Sequence, residues 1–179
     1  WVCTQSLDLP RIKAPLREWE KQGLLTFVDD AEISPDLITS WIADKAVEHN
    51  LAKLALDNFR YALVKKSLKT IGFDYKDNKN VKLVRPSDVM IVEPVIKSCF
   101  INHKFAWGDN PLMRWAVNNT KKVRSGRKEG EDTGNYYYAK IEAKSRKTDP
   151  FMALVAAMTI EGELSDGDST YDDLPVIVC

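Results

Sequence analysis

The sequence has few of the residues that mark an extracellular or membrane protein. Its three cysteines, Cys3, Cys99 and Cys179, are far apart among 179 residues and form no CxxC pair. This spacing argues against a disulfide framework or a zinc knuckle and favours a reducing cytosol. The longest apolar run, residues 151–158, is much shorter than the roughly 20 residues that cross a bilayer. We therefore expect a cytoplasmic protein that makes no membrane contact.

Several common catalytic signatures are also absent. The sequence has no GxGxxG or GxxxxGK[ST] loop to hold a phosphate chain, no HExxH and no legible nucleophile elbow. Its two histidines, His49 and His103, stand alone. With 8 glycines and 8 prolines and 44% apolar residues, the composition excludes a collagen-like or wholly disordered chain and is typical of one globular domain.

Charge is balanced overall but segregated along the chain. Lys plus Arg and Asp plus Glu number 26 each, yet residues 121–147 contain nine basic and four acidic residues, a net charge of +5. Residues 161–173 contain six acidic residues and no basic one. We interpret residues 1–163 as the globular domain and residues 164–179 as an acidic linker or tail.

Short β-rich runs alternate with helices that have clear start signals. Ser34-Pro35-Asp36 and Asn110-Pro111 each place a capping side chain before a proline at the first helical position. The predicted strands are residues 24–28, 51–56, 81–84 and 136–143, with 100–105 as strand or extended loop and 121–131 as a basic loop or hairpin tip. The last strand alternates as antiparallel strands do. The sequence thus predicts an α/β fold, a mixed sheet flanked by helices.

Two aspartates stand at element ends. Asp57 ends a buried strand and precedes a helix, and Asp149 precedes the apolar helix predicted over residues 151–162. In an open α/β sheet, ligands bind at the carboxyl ends of the strands, and carboxylates there suit Mg²⁺ or Mn²⁺. Both residues are also good helix N-caps, a role that involves no chemistry. The residues alone leave these two interpretations open.

A basic cluster offers a candidate nucleic-acid surface. Five cations lie within eight residues and are followed by three tyrosines: Lys121, Lys122, Arg124, Arg127 and Lys128. Such a cluster can follow a phosphate backbone. The alternative is a hairpin tip that is simply solvated.

The order of motifs resembles the C-terminal nuclease domain of the large terminase subunit of tailed bacteriophages. The likeness covers residues 1–163. The motifs, in order, are Leu9-Pro10, Trp19, Gln22-Gly23-Leu24, Ile33-Ser34-Pro35, Leu54-Ala55-Leu56-Asp57-Asn58, Ile101-Asn102-His103, Asn110-Pro111-Leu112-Met113-Arg114-Trp115 with Asn118 or Asn119, Gly134-Asn135, and Lys147-Thr148-Asp149-Pro150-Phe151. At the last motif the family typically has a Lys-Ile-Asp-Gly-like turn, whereas Pro150 follows the aspartate here.

The resemblance implies a ribonuclease H-like fold and metal-dependent cleavage of double-stranded DNA. Two divalent ions, Mg²⁺ or Mn²⁺, are implied, held by three acidic residues of which Asp57 matches the second and Asp149 the third. The first belongs to a strand expected before Trp1, so that the chain resembles an N-terminally truncated nuclease domain without the family's ATPase motor. Arg146 and Lys147 are expected to neutralise phosphate charge, and residues 121–128 to lie along the duplex.

The implied biological role is the cutting of concatemeric DNA during genome packaging in the cytoplasm of a bacterial host. The implied protein partners are the terminase small subunit and the portal. Two alternatives remain. One is a catalytically inactive DNA-binding or packaging module, such as a prophage remnant, because the first acid is missing. The other is a different ribonuclease H-like enzyme, such as a resolvase or integrase.

Overall fold

A computed structural model describes residues 1–126 and 134–164, and the backbone of residues 176–177. The strands are Val2–Cys3 (β1), Phe27–Val28 (β2), Leu54–Asp57 (β3), Val81–Val84 (β4), Phe105–Ala106 (β5), Thr120–Arg124 (β6), Tyr136–Lys140 (β7) and Val176–Ile177 (β8). The helices are Leu16–Lys21 (α1), Pro35–His49 (α2), Tyr61–Thr70 (α3), Pro86–Ile101 (α4), Pro111–Asn118 (α5) and Asp149–Met158 (α6). Leu9–Arg11 and Glu161–Glu163 form short 3₁₀ turns.

The strands combine parallel and antiparallel pairing, which confirms the mixed α/β fold. In the described part of the chain they form four two-stranded sheets: β1–β2, β3–β4 and β5–β8 are parallel, and β6–β7 is antiparallel. The β3–α3–β4 unit is a βαβ crossover. Its helix therefore runs back along the sheet, so that α3 begins at the edge where β3 ends.

Two apolar cores lie on opposite faces of the β3–β4 pair. The α2–α3 core is built around Ile42, Tyr61 and Leu68, with Leu54 and Leu56 of β3 packed against it. The α4–α6 core contains Ile96 and Val155, both fully buried, and Val84 of β4 packs against it. The β3–β4 pair is thus a two-faced central layer, and its continuous apolar stretches reflect burial on both faces.

The structure confirms the predicted starts of two helices, α2 and α5. The Ser34 hydroxyl accepts a 3.1 Å hydrogen bond from the Leu37 N–H, and the Asn110 carbonyl oxygen accepts one of 2.9 Å from the Met113 N–H. Both bonds satisfy donors that the first turn of a helix leaves without partners. Both helices then continue from a proline in the first turn.

Several predicted boundaries were wrong. Residues 100–101 belong to α4, and the strand begins only at Phe105, because Phe100 packs against Phe105, Trp107 and Phe151. Residues 121–124, predicted as part of a loop or hairpin tip, belong to strand β6, which pairs antiparallel with β7. Residues 127–133 and most of the predicted tail at 164–179 lie outside the described residues. None of the helices in the described ranges has the length and apolarity to span a membrane.

Candidate functional site

Asp57 is the last residue of β3 and is exposed. Its Oδ1 accepts a 2.8 Å hydrogen bond from the backbone N–H of Phe59, which fixes the carboxylate at the strand end. Helix α3 begins at Tyr61 with Arg60 in the N-cap position. The alternative interpretation of Asp57 as a helix cap was therefore wrong. Within the described ranges this carboxylate has no ion-pair partner.

Asp149 is the first residue of α6 and is also exposed. The N-cap position belongs to Thr148, which is buried, and no side chain caps this helix end. The N-cap interpretation of Asp149 was therefore also wrong. A negative charge in a first helical turn is favoured by the helix dipole, and in the part of the chain that the structure describes no cation pairs with it. Asp149 thus presents an uncompensated carboxylate.

Helix α6 runs antiparallel to β3. This direction brings the end of β3, with Asp57, and the start of α6, with Asp149, toward the same edge of the fold. The Lys53 ammonium, one residue before β3, bonds to the carboxylate of Glu163, in the 3₁₀ turn after α6. This bond holds the pKa of Glu163 below its usual value. Because α6 also packs against β3, the end of β3 and the start of α6 lie toward the same edge of the fold.

The alternation of side chains along β3 shows on which face of the β3–β4 pair Asp57 lies. Leu54 and Leu56 face the α2–α3 core, so Ala55 and Asp57 belong to the opposite face, the one that α6 covers. Val84, the register partner of Asp57, packs against the α4–α6 core. Asp57 therefore lies on the α6 face of the β3–β4 pair, toward the edge at which α6 begins with Asp149.

The donor set at this edge suits a hard cation but is small. Carboxylate oxygens are the ligands that Mg²⁺ and Mn²⁺ accept, with waters and substrate phosphate completing the shell. Within residues 1–126 and 134–164, no three His, Cys, Asp or Glu side chains form a group able to hold a metal ion. Asp57 and Asp149 thus fit part of a metal site, and other ligands are needed to complete it.

The predicted DNA-contacting residues differ in their surroundings. Lys121 and Arg124 are exposed on β6, whereas Arg127 and Lys128 lie outside the described residues. The Lys122 ammonium lies 2.8 Å from a carboxylate oxygen of Glu93 and 4.0 Å from the Tyr136 ring centroid. Because Glu93 neutralises this charge, Lys122 acts first as an anchor of β6 onto α4.

The two cations before Asp149 also have partners. The Arg146 guanidinium donates a 3.0 Å hydrogen bond to Oδ1 of the buried Asn119, and it lies 3.9 Å from the Glu142 carboxylate. The Lys147 ammonium lies 3.6 Å from the Asp8 carboxylate. These contacts join the segment before α6 to the end of α5 and to the N-terminal segment. They fix the position from which α6 starts.

Glu93 is the polar residue that sequence reasoning missed. It lies in the middle of α4 with only 4% of its surface exposed, facing a cleft of about 360 Å³ that Lys122 and Tyr138 also line. Burial, and secondarily the charge of Glu93, raises the pKa of Tyr138 to about 12. The available signal was one glutamate among the apolar residues of α4, since buried carboxylates almost always have a partner.

A larger cleft of about 1000 Å³ opens between the N-terminal segment and α2, α5 and α6. Its lining is mostly apolar and includes Trp1, Trp41, Leu112 and Met158. Trp1 and Trp41 pack edge to face with their ring centroids 5.7 Å apart. Neither Asp57 nor Asp149 is among the lining residues.

The fold is that of a known phage protein. The crystal structure of the HK97 bacteriophage large terminase matches this chain with a TM-score of 0.69 and 18% sequence identity over 89% of the chain. The matched part is 32% of that protein's chain, so this sequence spans about a third of it. No protein-family model matches, and no curated protein matches. The comparison confirms the terminase-like α/β fold expected from the order of motifs.

Proposed function

We propose that this chain is the nuclease portion of a terminase large subunit and cuts double-stranded DNA in a metal-dependent reaction. The observation that supports this most is the pair of exposed carboxylates, Asp57 and Asp149, at one edge of a terminase-like fold. Neither residue caps a helix, and neither has an ion pair within the described ranges. The Asp57 carboxylate accepts one backbone hydrogen bond and Asp149 lies in a first helical turn, but within the described ranges no cation neutralises either charge, which favours a role with a metal ion.

Asp57 and Asp149 would bind Mg²⁺ or Mn²⁺, with two ions expected and further ligands needed to complete the site. When bound, these ions supply an activated water and stabilise the leaving 3′ oxygen of the phosphodiester. The Phe59 N–H orients the Asp57 carboxylate, and the proposal requires that Asp149, at the start of α6, share the metal site with it. Lys121 and Arg124 on β6 would contact DNA phosphates with little sequence preference.

Plasmid cleavage with Mn²⁺ tests this function, both for this chain and for the full protein as the genome encodes it. Asp57→Asn and Asp149→Asn should abolish nicking in whichever form is active. Asp44→Asn removes an exposed carboxylate on α2 and should leave the rate unchanged. Full activity in both site variants would refute the assignment of these residues.

A second candidate is an inactive DNA-binding module of the packaging machinery. It is favoured by the absence of a three-acid group within the described residues. This candidate requires salt-dependent duplex binding with no metal-dependent cleavage by either form of the protein. Cleavage that depends on Asp57 would exclude it.

The same resemblance suggests where and with what the chain works. We propose that its macromolecular ligand is concatemeric double-stranded DNA in the cytoplasm of a bacterial host. We also propose the terminase small subunit and the portal as its protein partners. Co-purification of the chain with a small subunit encoded by the same genome tests the first of these two interactions.

A further inference from the structure

We infer that a second surface, beside Asp57 and separate from β6 and β7, binds the duplex. We call it the α3 surface and define it as Phe59, Arg60, Leu63, Lys66 and Arg85. The inference deepens the proposed function, on which it rests, by naming how DNA is held next to the carboxylates. The α3 surface was not among the DNA-binding residues expected from the sequence.

The fold brings these residues to the edge where β3 ends. Residues 58–60 connect β3 directly to α3, so the first two turns of the helix start beside Asp57. Arg85 follows β4, and the Asn58 N–H donates a 3.3 Å hydrogen bond to the carbonyl of Val84. Arg85 therefore enters the same edge from the neighbouring strand.

The charge of the α3 surface is unbalanced in a way that matches a polyanion. No acidic residue occurs from position 58 to position 73. Arg60, Lys66 and Arg85 are exposed, and in the described part of the chain none of their side chains forms an ion pair. Lys69, farther along α3, is in contrast bound to Asp77 at 2.6 Å. The first two turns of α3 thus carry cations whose charge is available to a phosphate backbone.

Exposed apolar side chains distinguish this surface from an ordinary solvated helix face. Phe59 is 80% exposed and Leu63, one turn later, is 66% exposed. The hydrogen bond from the Phe59 N–H to Asp57 holds the aromatic residue at a fixed place beside the carboxylate. Aromatic and aliphatic side chains framed by cations contact sugars and base faces while the cations bind phosphates. Phe59 therefore lies at the same end of β3 as Asp57, where it would contact a duplex bound on the α3 surface.

Duplex binding measured by fluorescence anisotropy in EDTA tests the inference without relying on cleavage. Arg60→Glu/Lys66→Glu should weaken binding at least roughly tenfold and reduce the slope of log K against log salt by about 2. The matched control is Lys76→Glu/Lys104→Glu, which makes the same change in charge at exposed positions on the opposite edge. Its affinity should stay within roughly threefold of the wild type, because distant charges are screened.

A second pair of variants tests the apolar contact. Phe59→Ala should weaken duplex binding about fivefold, whereas Val47→Ala, which truncates a side chain that is 89% exposed on α2, should not. Both variants should unfold at the wild-type temperature, since neither side chain is buried.

The outcomes separate this inference from the proposed function. If Arg60→Glu/Lys66→Glu binds duplex as its control does, the α3 surface is refuted, while cleavage dependent on Asp57 would leave the proposed function standing. If the wild-type chain binds no duplex at all, both fail. Selective loss of binding in the α3 variants supports the surface even where the chain does not cleave.

Discussion

The carboxylate of Glu93, buried in α4, lies 2.8 Å from the ammonium of Lys122 on β6. The side chain of Glu93 is 5% exposed and that of Lys122 is 35% exposed. Lys122→Met should lower the free energy of unfolding by roughly 2 kcal/mol, somewhat less than for a fully buried pair, because an unpaired carboxylate then remains in the core. Urea denaturation measures this loss.

The double variant Glu93→Gln/Lys122→Met provides the control for this pair. It removes both charges together and should recover most of the lost stability, as a double-mutant cycle would show. If the single variant Lys122→Met is as stable as the wild type, the pair does not anchor β6 onto α4.

Tyr138 should lose its proton at an unusually high pH, and the free energy of unfolding should therefore depend on pH in the alkaline range. Its pKa in the folded protein is raised to about 12 by burial and by the charge of Glu93, whereas an unfolded tyrosine has a pKa near 10. Between these values the unfolded chain binds fewer protons than the folded one, so stability should fall as pH rises from about 10 to about 12. Ultraviolet difference titration and denaturation at each pH measure both effects.

The matched variants are Tyr138→Phe and Tyr137→Phe. The first should remove the late-titrating phenol, and the second, on the other face of β7, should leave it in place. A late transition that survives in Tyr138→Phe would contradict the assignment.

The helix ends should differ in their sensitivity to truncation. Ser34→Ala removes a hydroxyl that accepts the Leu37 N–H and should cost about 1 kcal/mol. Asp149→Ala removes a side chain that makes no capping bond and should cost less than Ser34→Ala does. Thermal or urea unfolding of the two variants gives the order. A larger loss for Asp149→Ala would show that this residue has a structural role after all.

Metal binding at the Asp57–Asp149 edge should stabilise the chain independently of any cleavage. At a Mn²⁺ concentration ten times the dissociation constant, the folded state should gain about 1.4 kcal/mol, visible as a higher unfolding temperature. Asp57→Asn and Asp149→Asn should each lose this gain, and Asp44→Asn should retain it. An equal Mn²⁺ effect in all four proteins would place the metal elsewhere.

Local chemistry explains which parts of the fold were predictable. The starts of α2 and α5 depend on a capping side chain and a following proline, which act within one turn, and both were predicted correctly. The end of α4 was not, because Phe100 stays helical to reach Phe105 and Phe151, and no local signal encodes that packing. Residues 121–124 were predicted as loop or hairpin tip and not as a strand for a similar reason, since only their pairing with β7 makes them one.

The sequence by itself determined the alternation of strands and helices, the caps of α2 and α5, and the presence of aspartates at the end of β3 and at the start of α6. The tertiary structure determined at which edge of the fold those aspartates lie. Residues 57 and 149 reach the same edge because α6 runs back along β3 and the bond between Lys53 and Glu163 holds its far end. The tertiary structure also brings Glu93 into contact with Lys122. Contacts between residues so distant in sequence depend on how the apolar faces pack, which no short stretch of sequence specifies.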